Sequence, residues 1–207
     1  MPDLPNRDQH EAALTAAVLA VFDDYRRRVG TNGNFPSQEF HQRVQLATFP
    51  LLTATFTDSA KGLAADQSWD LSQSPLRVDS QKWASDRAAT LATLTLDTTR
   101  DALATPGTDL QTIFGLPRAE SIGITETTTA ATAGEDWAAA FAMVFLFADD
   151  TRIEEYWDGI LDSRQCPICS RLHATPKRVW SREFPDGPPA HPRCRCTRRF
   201  VVKTVEA

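Results

Sequence analysis

Four cysteines and a histidine crowd into the last fifth of the chain, as Cys166-Pro167-Ile168-Cys169 and then His191-Pro192-Arg193-Cys194-Arg195-Cys196. No other feature restricts the fold as much. In a CxxC turn the two intervening residues let both thiolates face one point, and the backbone N–H groups of the turn can donate to sulfur. His191 and Cys194 repeat the i, i+3 spacing. Cys194 and Cys196 stand at i, i+2, which on an extended strand puts both sulfurs on one side and Arg195 on the other. A disulfide framework would spread its cysteines across the fold. Clustered thiols beside a histidine instead suit a soft divalent cation, with disulfides as the alternative. The expected cofactor is one structural Zn²⁺. Cys166 and Cys169 fill two of its four places, and His191, Cys194 and Cys196 compete for the other two. A sulfur-only set suits a purely structural ion and is slightly favoured, leaving His191 as a turn residue. A Cys₃His set would instead leave one of the last two cysteines as a buried thiol. A closed four-ligand site has no position for substrate, so the metal is expected to stabilise the fold.

Charge is divided along the chain. From Ser163 onward ten Lys/Arg face three acids, a balance of +7, which leaves −12 on residues 1–162 of a chain whose net charge is −5. A basic tail on an acidic body suggests an anionic partner, nucleic acid or an acidic protein surface. The alternative is that tail and body neutralise each other. If the tail binds DNA, then Arg178, Arg182, Arg193, Arg195, Arg198 and Arg199 should form one continuous stripe. Asp162 and Arg164, two apart on an extended segment, are expected to form an ordering ion pair near the metal.

The fold class expected is α+β: a mainly helical N-terminal body of about 150 residues and a small Pro/Cys-rich, metal-stapled α+β C-terminal region. Residues 8–29 read as a helix stopped at Gly30 and the polar run after it. A second helix runs from Ser37 to about Lys61, kinked or broken near Pro50. A third covers about 80–104, rich in threonine and so dependent on packing. A short piece follows over 109–114. Residues 117–147 form one long helix or two abutting ones, with Gly134 as the break. Arg152–Trp157 and Phe200–Val205 read as strands. By domain, residues 1–110 form a helical region and 111–207 a second unit, with the knot at 162–200. The most apolar stretch, 141–148, is too short to span a membrane, and the N-terminus lacks the pattern of a secretory signal. The composition, 42% apolar and 24% charged, is that of an ordinary soluble chain, and an intracellular setting is expected.

Asp162–Cys169 (DSRQCPIC) followed by Pro188–Cys196 (PPAHPRCRC) resembles the signature of the phage Mu protein F-like family of minor head (head morphogenesis) proteins. Upstream, Arg118–Thr128 (RAESIGITETT) is similar to the segment that precedes that signature, and Tyr156-Trp157 falls where a family tryptophan enters the strand. The chain departs from the family at Leu172-His173-Ala174, where a glycine turn is common. The resemblance covers roughly residues 116–202. It implies a virion or procapsid component without enzymatic activity, placed near the portal and acting in head assembly, DNA packaging or delivery. The portal or major capsid protein and packaged double-stranded DNA are the implied partners, and residues 1–110 are expected to dock on portal or capsid.

Two other classes compete. A stand-alone zinc-ribbon nucleic-acid binder requires the arginine stripe. An ADP-ribosyltransferase- or nuclease-like enzyme would use Glu126, Glu154 or Glu155 as a base and needs a cleft converging on Glu126 and His173. The chain carries no Ser/His/Asp set, P-loop or GxGxxG.

Overall fold

The computed structural model describes residues 4–147, 150–159 and 166–204. Asp162 and Arg164 lie outside the described residues. Five helices come first: α1 (Arg7–Asn32), α2 (Ser37–Asp66), α3 (Leu76–Ala104), the short α4 (Leu110–Phe114) and α5 (Leu116–Phe145). Strand β1 (Thr151–Asp158), helices α6 (Pro167–Leu172) and α7 (Lys177–Trp180) and strand β2 (Thr197–Thr204) complete the chain. The architecture is α+β, a helical body with a small two-stranded end.

Within the body, α2 packs on α3 and α5, and α5 also packs on α1. Residues 116–145 thus belong to the same helical mass as α1–α3. One core lies at the α1–α2 turn, where Phe22 stacks on Phe40 at 6.2 Å and Tyr25 meets Phe40 edge-on at 4.9 Å. A second joins Phe56, Ala60, Leu63 and Ala138 to Phe200 of β2, seating the C-terminal end on the body. The threonines of α3 are tolerated because several bond their own helix: Thr90, Thr93, Thr98 and Thr99 each donate to the carbonyl four residues back.

Beyond shifts of a few residues at the ends of α2, α3 and β2, one helix end and two expected breaks differ from the sequence reading. Helix α1 continues through Gly30 and ends at Gly33, whose φ of 67° supplies the left-handed cap and whose N–H reaches the Val29 carbonyl at 2.9 Å. Helix α2 runs unbroken through Pro50, held by buried Thr48, Leu52, Thr55 and Phe56 on either side. Gly134 does not divide α5. A Cβ at that position would overlap the carbonyl oxygen of Phe56, so the glycine serves the close crossing of α2 and α5. Gly134→Ala is accordingly expected to destabilise the chain by about 1–3 kcal/mol through overpacking. Equilibrium urea unfolding followed by far-UV circular dichroism checks this; an unchanged midpoint would contradict the crossing.

The strands pair antiparallel along their full length, Thr151 opposite Thr204 and Asp158 opposite Thr197. The other edge of β1 is met by the turn after α6, through Trp157 N–H to Thr175 O at 2.9 Å and Ala174 N–H to Trp157 O at 2.8 Å. Beneath this end lies a small core of Trp157, Leu172, Trp180 and the cysteines, with the two indoles edge-on at 5.7 Å. Among the described residues, no helix is long and apolar enough to cross a membrane.

Candidate metal centre

The first two sulfurs are set by the start of α6. Pro167 occupies its first turn, and Cys166, just before it, accepts the Cys169 N–H on Sγ at 3.3 Å. The turn therefore holds Cys166 and Cys169 on one side of its first loop, as the CxxC spacing implies. The remaining donors come from the segment entering β2. His191 Nε2 lies 2.9 Å from Cys166 Sγ and 3.2 Å from Cys169 Sγ, and Cys194 Sγ lies 3.7 Å from Cys169 Sγ. The five donors form two triads, Cys166–Cys169–His191 and Cys169–Cys194–Cys196, each with its ligand atoms within 4.8 Å of one another. Cys169 belongs to both. All four thiols are free, with Cys169, Cys194 and Cys196 buried and Cys166 half-buried. The cluster has the donor chemistry to bind a metal ion.

His191 is more than a turn residue. Its Nδ1 sits 2.8 Å from the Pro192 carbonyl, so a proton on Nδ1 is donated there and the Nε2 lone pair faces the two sulfurs. Burial opposes protonation of the ring, but the Pro192 carbonyl and the Cys194 and Cys166 sulfurs outweigh it and hold its pKa above the usual value. The thiols share their charge unequally. Cys194 is brought down to about 5, chiefly by its hydrogen bond with Cys196. Cys169 is pushed up to about 12, first by burial. Cys196 is pushed up too, first by its bond to Cys194 and then by burial. For Cys166, burial is outweighed by the Cys169 N–H and by His191, so its pKa is lowered. Packed together, four sulfurs cannot all carry charge without a cation, and a divalent ion would deprotonate the thiols that hold it.

The upstream segment Arg118–Thr128 docks directly on the knot. Thr128 Oγ1 donates to the Cys194 carbonyl at 2.6 Å and accepts from Arg7 at 3.1 Å. Thr125 Oγ1 accepts the Arg193 N–H at 2.9 Å. Arg118 ties the start of α5 to α3 and α4 through the Thr95 and Ile113 carbonyls. The sequence assigns the Thr125 and Thr128 hydroxyls no role of their own.

The arginines do not form one stripe. Arg193 pairs with Glu120 of α5 at 2.6 Å and Arg195 with Glu11 of α1. Arg198 is buried among Glu135, Asp136 and Glu155 and donates to the Thr132 carbonyl at 2.6 Å. Arg195 and Arg198 are drawn into the body and the exposed Arg193 pairs at its surface, because Glu11, Glu120, Glu135 and Asp136 of the helices sit where the knot docks. Arg178 and Arg182 are exposed, as is Arg199, whose guanidinium lies 5.1 Å from the Tyr156 ring centre. The carboxylates considered as bases are engaged as well. Glu126 forms a two-point pair with Arg87 at 2.6 and 2.7 Å, Glu154 pairs with Lys203 and Glu155 with Lys177. His173 stands 3.4 Å from Asp158 and accepts the Gly159 N–H.

Glu135 and Glu11 are acids that the sequence did not single out. Burial raises the Glu135 pKa to about 7 against the pull of Arg198 and Arg7. An acid raised in the folded state stabilises that state below its unfolded value, near 4.5, and this contribution is lost as pH rises toward 7. Glu135→Gln is therefore expected to lose less stability than the parent chain between about pH 4.5 and about pH 7. Urea midpoints across that range measure the slope, and parallel curves would contradict the assignment.

No family profile, curated protein or solved structure matches the chain.

Proposed function

We propose that this chain is a phage or prophage minor head protein of the Mu F-like kind, a non-enzymatic component of the virion or procapsid near the portal, stapled by one structural Zn²⁺. The observation that carries the reading is the meeting of its two motif segments. Thr125 and Thr128 of the upstream segment hold the backbone of Arg193 and Cys194 in the cysteine signature, so the two stretches act as one unit. The ligand set in this reading is Cys166, Cys169, His191 and Cys194. What favours His191 is its Nε2, 2.9 Å from Cys166 Sγ and 3.2 Å from Cys169 Sγ, while the Cys169–Cys194 separation of 3.7 Å, near the roughly 3.8 Å between sulfurs of a tetrahedral ion, is common to this set and to the all-sulfur one. Cys196 is then the buried neighbouring thiol, beside the Trp157 indole.

Its partners are the portal or major capsid protein. Contact with packaged DNA falls to Arg178, Arg182 and Arg199, since Arg193, Arg195 and Arg198 are held by acids. The test is electron microscopy of assembled particles carrying a labelled copy, together with particles lacking the protein. Label at the portal vertex and heads that fail to assemble or fill are the expected results. Label absent from heads, with normal filled particles in its absence, would overturn the proposal.

A further inference from the structure

Five donors surround a site that takes four ligands, so one donor is left over. With Cys166, Cys169, His191 and Cys194 at the ion, the spare group is the Cys196 thiol, buried against the Trp157 indole. Its sulfur lies within 4.8 Å of both Cys169 Sγ and Cys194 Sγ. Disulfide sulfurs sit at about 2.05 Å, so closing either gap takes a movement of at most about 3 Å, shared by two side chains. Cys194 is the poorer partner, because it stands two residues away and the bond would close a small, strained ring. Cys169 comes from α6, across the knot, and is the donor that both triads share. The ion pins the Cys166 and Cys194 sulfurs, whereas Cys196 is free to turn toward Cys169.

These thiols are buried but not sealed. An open cleft of about 800 Å³ between α1, the first turns of α5 and the knot is lined by all four cysteines and His191. Asp8, Glu11 and Glu120 line it too, and Arg193 and Arg195 are paired with two of those acids. The cleft therefore has no excess positive charge to draw in an anionic disulfide. A small neutral oxidant, a hydroperoxide, suits the opening.

We propose that Cys169 and Cys196 form a peroxide-reactive thiol pair, in which Cys196 is the resolving thiol that withdraws Cys169 from the metal. The Cys169 thiolate attacks one peroxide oxygen: the S–O bond forms, the O–O bond breaks, hydroxide leaves and a sulfenic acid results. The Cys196 sulfur then attacks the Cys169 sulfur: the S–S bond forms, the S–O bond breaks, and the departing hydroxide takes the Cys196 proton as water. Each sulfur gives up one electron, and the peroxide is reduced to hydroxide and water. Cys166, His191 and Cys194 remain, one short of a closed set, so the ion is lost to a competing chelator. The pairing rests on the ligand set proposed above and is independent of the head-protein assignment.

The experiment exposes the reduced, zinc-loaded full chain to a few equivalents of hydrogen peroxide beside a chromogenic chelator, and maps its cysteines by peptide mass spectrometry. Zinc content before the oxidant reports on the metal site, and the events after it report on the pair. The expected result is zinc release together with a Cys169–Cys196 disulfide, both reversed by a dithiol reductant and added zinc. Cys196→Ser is expected to hold its zinc beforehand and to release it at least about tenfold more slowly at the same dose. A parent chain that keeps its zinc, or a disulfide that leaves out Cys196, would overturn the proposal. So would Cys196→Ser losing zinc at the parent's rate, or carrying none before oxidation, since Cys196 would then be a ligand.

Discussion

Cys169→Ser is expected to strip the metal from the chain and melt the C-terminal end, whereas Cys196→Ser is expected to keep the metal. Cys169 is the one donor common to both triads, with His191 Nε2 at 3.2 Å and Cys194 Sγ at 3.7 Å. Removing it therefore breaks either possible ligand set. Structural Zn²⁺ contributes binding free energy on the order of 10–16 kcal/mol in small domains, and that energy is folding energy. The knot's own core is two tryptophans, one leucine and the cysteines, too little apolar surface to hold without the ion. Loss of near-UV dichroism from Trp157 and Trp180, with the far-UV helical signal nearly unchanged, is the expected signature. Cys196 is not among the four ligands proposed, and serine there should lower the affinity without emptying the site. Zinc lost from Cys196→Ser but retained by a His191→Ala variant would instead make the site all-sulfur.

Arg198→Ala is expected to cost about 3–5 kcal/mol, the second largest effect of a single substitution. The arginine is 3% exposed and is the joint between knot and body. It faces Glu135 and Asp136 of α5 and Glu155 of β1, and it satisfies the Thr132 carbonyl. Alanine leaves the buried Glu135 without its main counter-charge and the Thr132 carbonyl without this donor. The remaining carboxylates then repel one another. Adding Glu135→Gln to Arg198→Ala should recover part of the loss at alkaline pH, where Glu135 would otherwise have to ionise unpaired. Equilibrium urea unfolding of the single and double variants reads both effects. A loss below about 1 kcal/mol would mean that the pair is solvated and contributes only as a surface ion pair does.

What could be read from the sequence follows the range of the interaction. The CxxC and HxxCxC spacings are local geometry, so the gathering of five donors was legible, as were the helical body and the two strands. Gly134 was misread because a glycine in a helix signals either a break or a close crossing, and only the position of Phe56 on α2 separates them. Gly30 and Gly33 both suit a helix end; the choice lies in which one takes positive φ. The charge count showed a basic tail and an acidic body, but not which arginine meets which acid. Glu11 and Arg195 are 184 residues apart, a separation at which no periodicity speaks. Thr125 and Thr128 lie within the segment Arg118–Thr128 that the resemblance singles out, yet nothing local tells which backbone their hydroxyls meet 68 and 66 residues away. Their i, i+3 spacing on one face was the available signal.

Metal content with the coordination shell is the most direct test of the central claim, that the cysteine knot is a single metal site docked on the helical body. The freshly purified, reduced chain should carry one zinc per molecule by elemental analysis. Its zinc-edge absorption spectrum should show three sulfurs at about 2.3 Å and one nitrogen at about 2.0 Å. A chain without metal whose cysteines are paired as disulfides by mass spectrometry would contradict the account.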